Sequence, residues 1–542
     1  MEQNHHFELA EEYFRYLARR YPVMCASDEF HFLPRAQEAA SYIHKLDWLT
    51  PESMEEDISI LKDFQKRFRQ LSGTQADPEV VIDLKLLTAN AAGVLMELEG
   101  NQTWRHNPLL YLKIAFIGLD HALTKPAVDP AERMDRTFSR LNEIPRLIDQ
   151  GIHNIQGIPE SYHRAAIDMI EDCREYLIAE TLNIPGIDSD RFQSIFNQAI
   201  QALNRFNKFL ESALPVSDKR FAAASMEATL KDHFLYFRPL KEIYQIAVEE
   251  WDRNQKELEK LRQEIDSNAS WQDLYHSYSP EGIDTPDTFS LYRDEINNIC
   301  HFFQDMGLCG TDFFQTMELK ETPRYLRSVR SGASFGASLT AGKQEKSYFY
   351  ITTDGKGEDF DAHRKKRFHR EFRFLVAHET IPGHHFLDSI RREMDNPVRR
   401  QIESSLFYEG WASFAESLLF EYGYLQNPLD RLVNCKRWLW RAARCQIDVG
   451  LPQGLLTENS AVELLITAGF SKVEAVKQIE RFSLNPGYQL CYSLGSYEIK
   501  QIRKIYGNRL DRNVFYGHLL GGGELPFSII RQRFEELIAN QE

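Results

Sequence analysis

His378-Glu379-Thr380-Ile381-Pro382-Gly383-His384-His385 places three histidines and a glutamate within eight residues, and Glu409 follows in Phe407-Tyr408-Glu409-Gly410-Trp411-Ala412. Two imidazoles and a carboxylate are the ligand types of a catalytic zinc ion, which takes three protein ligands and leaves its fourth position to water. Glu379, beside the first histidine, is of the type that serves such a water as general base. A zinc-peptidase helix normally carries its histidines four residues apart, so that both rings meet one metal. Here position i+4 is Pro382.

Helix geometry decides what that substitution means. On a straight helix His385 faces the same way as His378 but lies roughly 10 Å along the axis, at about 1.5 Å per residue. His384 points about 120° away at about 3.6 residues per turn. Neither shares a metal with His378 unless the helix is broken, and Pro382-Gly383 is the dipeptide that breaks it. His384 is the favoured ligand because it needs the smaller distortion, with His385 the alternative ligand or a partner behind the metal site. Glu409 is expected on a second helix, carrying Leu406, Trp411 and Leu418, that packs beside the first. Glu416, on the same face of it, is suited to orient a ligand histidine.

The elements that position these residues read as helices. Phe192, Phe196, Ala199, Leu203, Phe206 and Leu210 step by threes and fours after Ser189, a plausible N-cap. Leu61, Phe64, Phe68 and Leu71 repeat the pattern, as do Tyr244, Val248, Trp251, Leu258 and Ile265 in a helix ending near Asp266. The metal-type helix is expected from about Arg370 to Ile381. Between Arg324 and Thr353 the texture changes, and the aromatic and β-branched run Ser347 to Thr353 predicts a small sheet or hairpin next to the cleft, with an edge open to an extended peptide. A loop-rich stretch, Ser277 to Asp287, divides an N-terminal helical region (1–280) from a catalytic region (281–542).

The 542 residues carry a net charge of −16, which disfavours nucleic acid as a partner. Seven cysteines, at 25, 173, 300, 309, 435, 445 and 491, form no CxxC pair, so neither a disulfide framework nor a thiolate zinc site is expected. The polar, acidic N-terminus has no export signal, and no apolar run is long enough to span a membrane, so the expected address is the cytoplasm.

Taken in order, these residues resemble a known pattern. His378 to His385 resembles the HExxPGHH signature of the bacterial family designated domain of unknown function 885, whose members look like zinc metallopeptidases related to the glutamate-liganded zincins, such as thimet oligopeptidase. Glu409 to Glu416 resembles the family's EGWAxYAE segment, with Phe414 in place of tyrosine. Arg441 to Gly450 resembles its RAxRLVxDxG segment, with Pro452 where a histidine often follows. Glu480-Arg481-Phe482 and Pro486 to Gly495 resemble late blocks in which Tyr488 replaces a common glutamine, and Glu524-Leu525-Pro526 fits a terminal GxLP element. The match covers about the last 240 residues in ordered blocks.

The resemblance implies a mainly α, zincin-like fold with zinc held by His378, His384 and Glu409, Glu379 as catalytic base, and short peptides as substrates. It makes Tyr492 the first candidate for the donor to the developing oxyanion. Arg481 is the second, for the oxyanion or for a substrate carboxylate. Competing readings are an inactive helical binding protein stabilised by metal, and a carboxylate-bridged di-iron protein. The second wants a Glu-x-x-His pair on each of two helices.

Overall fold

The computed structural model describes residues 5–181, 190–217, 223–280, 287–310, 313–330, 332–339, 345–352 and 358–540. The fold is mainly α, with one small sheet. The phenylalanine-rich periodicity forms the helix Asp190–Ser212, burying Phe192, Ala199, Leu203, Phe206 and Leu210 on one face. Ser189, its expected cap, lies outside the described residues. Leu61, Phe64 and Phe68 are the buried face of Pro51–Ser72, which opens on Pro51 after Thr50, whose hydroxyl accepts from the Ser53 N–H in a capping box. The long charged helix is Leu240–Ile265, ending at Asp266 as expected.

Two apolar cores hold these helices together. The first joins N-terminal residues from Leu9 to Ala247 with Leu406, Trp411, Leu490, Ile499 and Phe527 from the other end of the chain. The second gathers Trp251, Tyr292, Phe349, Phe374, Ile381, Leu439 and Phe482. Leu240–Ile265 contributes to both, through Leu240, Ile243 and Ala247 on one side and Trp251, Leu258 and Leu261 on the other. Residues 281–286 of the loop taken as a boundary lie outside the described residues.

Three strands make the sheet, in the order β1 (Met317–Glu321), β3 (Ser347–Ile351), β2 (Ala333–Gly336). β1 runs parallel to β3 with Leu319 opposite Phe349, and β2 runs antiparallel to it with Phe335 opposite Phe349. The sheet expected from the aromatic run is therefore present, extended by a strand that precedes Arg324. Residues 331, 340–344 and 353 of that stretch lie outside the described residues. β2 is an edge strand, and its Phe335 ring lies 6.3 Å from the ring of His384.

Candidate metal centre

The helix Glu358–Glu379 stops two residues short of its expected end, and the chain turns through Thr380 to Gly383 before the helix His384–Arg392 begins. Ile381–Pro382 is a cis peptide. Gly383 sets how tightly the chain folds back, since a Cβ there would stand 2.0 Å from the His378 carbonyl oxygen and 2.4 Å from that of Ala377. No side chain fits that space. The freed backbone groups find partners: Phe386 N–H donates to Thr380 O at 3.1 Å, and Trp411 Nε1–H to Pro382 O at 2.9 Å.

This break brings His384 beside His378. Their rings are 4.7 Å apart and nearly perpendicular. Each Nε2 lies 3.4 Å from Glu409 Oε2. Candidate ligand atoms of all three buried residues lie within 4.8 Å of one another. A tetrahedral ion with bonds of about 2.0–2.2 Å has its ligand atoms about 3.4 Å apart, so the set fits a zinc-sized ion. Glu409 Oε2, buried and without a hydrogen-bond donor, is the kind of atom that a cation would satisfy. His385 points elsewhere: its Nε2 lies 3.1 Å from Thr316 Oγ1, and burial with nearby Arg392 lowers its pKa to about 3. It is a neutral histidine behind the centre.

The charges are arranged around the same point. Burial works against a charged His378, yet Glu409 and Glu416 outweigh it and lift its pKa to about 9 in the metal-free chain. Glu409 is held well below the carboxylate range, because the two histidines overcome the burial that would raise it. Burial raises Glu379 despite those same histidines. Among the described residues its carboxylate makes no hydrogen bond or ion pair, so it is free to accept a proton.

Behind His378 stands Glu416, with Oε1 3.0 Å from Nδ1. Arg437 grips Glu416 through Nε and Nη2, at 2.9 and 2.8 Å, and Arg441 grips it through both Nη atoms. Arg437 Nη1 also donates to Glu371, at 2.6 Å, and Lys436 Nζ to the same carboxylate, at 3.2 Å. A carboxylate held by two guanidiniums stays ionised and can only accept, so its charge 3.0 Å from Nδ1 of His378 favours a proton on that nitrogen and leaves Nε2 for a metal.

The helix of Glu409, Ser405–Ala415, crosses Gln489–Tyr506 at a pair of glycines. A Cβ on Gly410 would stand 2.5 Å from the Gly495 backbone, and one on Gly495 would stand 2.0 Å from the Leu406 carbonyl oxygen. This close crossing delivers Tyr488 and Tyr492. Tyr488 donates its hydroxyl proton to Glu409 Oε1. The Tyr492 ring is stacked 6.3 Å from the ring of His378. Asp448 fixes the start of that helix by accepting from the N–H groups of Gly487, at 2.9 Å, and Leu490, at 3.0 Å. Glu524 accepts from the Ser404 N–H, at 2.8 Å, just ahead of the Glu409 helix.

Residues 35–534 match the family model described as "Bacterial protein of unknown function (DUF885)". The chain belongs to this family. Among solved structures, the fold is similar to a "putative lipoprotein" from Colwellia psychrerythraea, at TM-score 0.78 and 16% identity over 100% of both chains. It is also similar to a "putative lipoprotein of unknown function" from Shewanella oneidensis, at TM-score 0.71 and 20% identity over 90% of this chain and 94% of that one. At such identities the likeness is one of fold. No curated protein matches the sequence.

For this member of the DUF885 family the structure adds residues that the sequence did not single out and sets one apart. Arg481 is exposed in the last turn of Lys472–Phe482, outside the buried cluster. Arg444 instead approaches the Tyr492 side of the cluster, its guanidinium 3.8 Å from the centroid of the Tyr492 ring. His31 comes from the far end of the chain and stacks on Tyr488 at 4.4 Å. Arg444 lies in a block already noted, and its spacing from Arg441 and Arg437 hints at a shared face. Nothing in the sequence around His31 points to the site.

Proposed function

We propose that this protein is a zinc-dependent peptidase acting on short peptides, with a fold of the glutamate-liganded zincin kind. The observation that carries the reading is the convergence of His378, His384 and Glu409, with each histidine Nε2 3.4 Å from Glu409 Oε2, and an unpartnered Glu379 next in sequence. A purely structural metal site has no need of that base and closes its fourth position with another ligand.

His378, His384 and Glu409 would hold the ion, and Glu416 with its two arginines keeps His378 turned toward it. Bound zinc supplies a Lewis acid and a water of lowered pKa. Glu379 takes the proton from the attacking water and returns it to the leaving amine, a task suited to a carboxylate whose pKa burial has raised. Tyr492, whose ring is stacked 6.3 Å from that of His378, is the candidate donor to the oxygen that gains charge. Tyr488 keeps Glu409 from turning away by occupying its other oxygen.

Metal analysis of the purified protein, paired with a peptide-library digest by wild type and Glu379→Gln, tests this. One zinc per chain is expected in both proteins, with turnover lowered about 10²–10⁴-fold in the variant. Zinc without cleavage by wild type sinks the peptidase reading and leaves a metal-stabilised helical protein. Absence of any bound metal sinks the centre itself.

A further inference from the structure

Arg444 is half-buried on Pro428–Gly450, one turn beyond Arg441. Arg437 and Arg441, on the same helix, are both spent on Glu416. Arg444 is different. Its Nε and Nη2 share the side-chain oxygen of Gln489, at 3.1 and 2.5 Å, and its plane lies over the Tyr492 ring. Among the described residues it forms no ion pair. The nearest acid along the helix, Asp448, is occupied by the N–H groups of Gly487 and Leu490. This half-buried guanidinium is held in place by a neutral amide and an aromatic face and has no carboxylate partner among the described residues.

The position of this cation relative to the metal ligands gives the missing partner a chemical class. Arg444 is 3.8 Å from the centre of the Tyr492 ring, and that ring is 6.3 Å from the ring of His378. One residue of extended chain spans about 3.5 Å. These separations put the guanidinium no more than about 10 Å from the His378 ring, within reach of a group up to about three residues beyond a scissile carbonyl held at His378, His384 and Glu409.

We infer that Arg444 receives the C-terminal carboxylate of the substrate, so that the enzyme removes about one to three residues from a free C-terminus instead of cutting within a chain. Gln489 and Tyr492 present the fork, leaving Nη1 and the outer edge for a charge-assisted hydrogen bond. An amidated or internal peptide would leave Arg444 buried against a neutral group. That penalty supplies the discrimination.

This assignment rests on the peptidase reading, and one experiment separates the two. Wild type, Arg444→Lys and Arg444→Met are given a pair of N-acylated peptides that differ only in a C-terminal carboxylate or carboxamide. Binding of the same pair to Glu379→Gln protein is measured by calorimetry, which needs no turnover. Wild type is expected to prefer the acid by about 10–100-fold in kcat/KM, mostly through KM, with a parallel preference in binding. Arg444→Met should remove the preference with zinc content unchanged, and Arg444→Lys, which keeps the charge but not the fork, should retain part of it. Equal cleavage of acid and amide by wild type overturns the assignment and leaves the peptidase reading standing. So does an Arg444→Lys protein that keeps the full preference in both measurements while Arg444→Met folds and keeps it too. Wild type that loads zinc yet neither cleaves nor binds either peptide overturns both.

Discussion

At the scale of the residue, the centre depends on groups that never touch the metal position. Glu416 is the clearest, since two guanidiniums hold it ionised and it in turn fixes His378. Glu416→Gln presents a neutral amide to Nδ1, takes the carboxylate from Arg441 and leaves Arg437 with Glu371 alone. Zinc affinity, read by competition with a chromophoric chelator, should weaken about 10–100-fold. The zinc-free protein offers a second measurement. There His378 has its pKa lifted from an ordinary 6.5 to about 9, against the opposition of burial, by Glu409 and Glu416. A raised folded pKa means that the charged histidine adds stability that is fully present below pH 6.5 and is lost as pH rises through about 9. Thermal midpoints of zinc-stripped protein should therefore fall across that window, and His378→Gln should flatten the decline. A window unchanged in the variant would assign the loss to other groups. With zinc present the sign reverses, because the metal needs the unprotonated ring, and the midpoint should hold or rise over the same range.

At the scale of the element, the site is made by two backbone approaches that only glycine permits. Gly383 lets the chain pass the carbonyls of Ala377 and His378, and Gly410 with Gly495 lets the Glu409 helix meet the helix of Tyr492. Gly495→Ala pushes a methyl group into the Leu406 carbonyl, and overpacking of this kind costs about 1–3 kcal/mol. The expected result is a lowered thermal midpoint together with weaker zinc retention, because separating the helices moves Glu409 and its Tyr488 partner. A drop in stability with zinc affinity intact would mean that the crossing serves packing alone. These approaches also explain what the sequence made legible. Pro382-Gly383 announced a broken helix because proline and glycine act locally, and the residue types alone named two histidines and a glutamate as a candidate set, which the fold brings together. The choice between His384 and His385 depended on the shape of the turn, which Trp411, from another helix, helps to hold. Arg481 and Arg444 both sit in helical blocks, and periodicity alone does not say which face a neighbouring helix covers.

At the scale of the whole molecule, the centre lies where the two cores meet. The helix of His378 is packed in one, through Phe372, Phe374 and Val376, and the helix of Glu409 in the other, through Leu406, Trp411 and Phe414. The N-terminal segment ties the two sides across the site, which is why His31 was out of reach of any local pattern. Asp28 accepts from the Ala337 N–H just beyond β2, at 3.2 Å, and Glu29 pairs with Lys113, at 2.9 Å, and with Arg330. Arg35 then pairs with both Asp388, on the helix that begins at His384, and Glu403, ahead of the Glu409 helix. All three of these side chains are largely withdrawn from solvent, at 5%, 0% and 16% exposure. Removing the cation leaves Asp388 and Glu403 facing each other with less compensation, although Arg391 and Arg392 remain nearby. Breaking a buried pair costs about 3–5 kcal/mol where a charge is left with no partner, and the loss here should be smaller because Arg391 and Arg392 still pair with Asp388 and Arg391 with Glu403. Arg35→Met should therefore lower the urea midpoint, and the combined change Arg35→Met with Asp388→Asn should recover part of the loss, since the second substitution removes one of the two acids left with less compensation. Strictly additive losses would mean that Arg35 and Asp388 act independently. If Arg35→Met also weakens zinc binding in protein that is still folded, the N-terminal segment sets the metal geometry through the His384 helix. If affinity is unchanged, its task at this end is to hold the segment that stacks His31 on Tyr488.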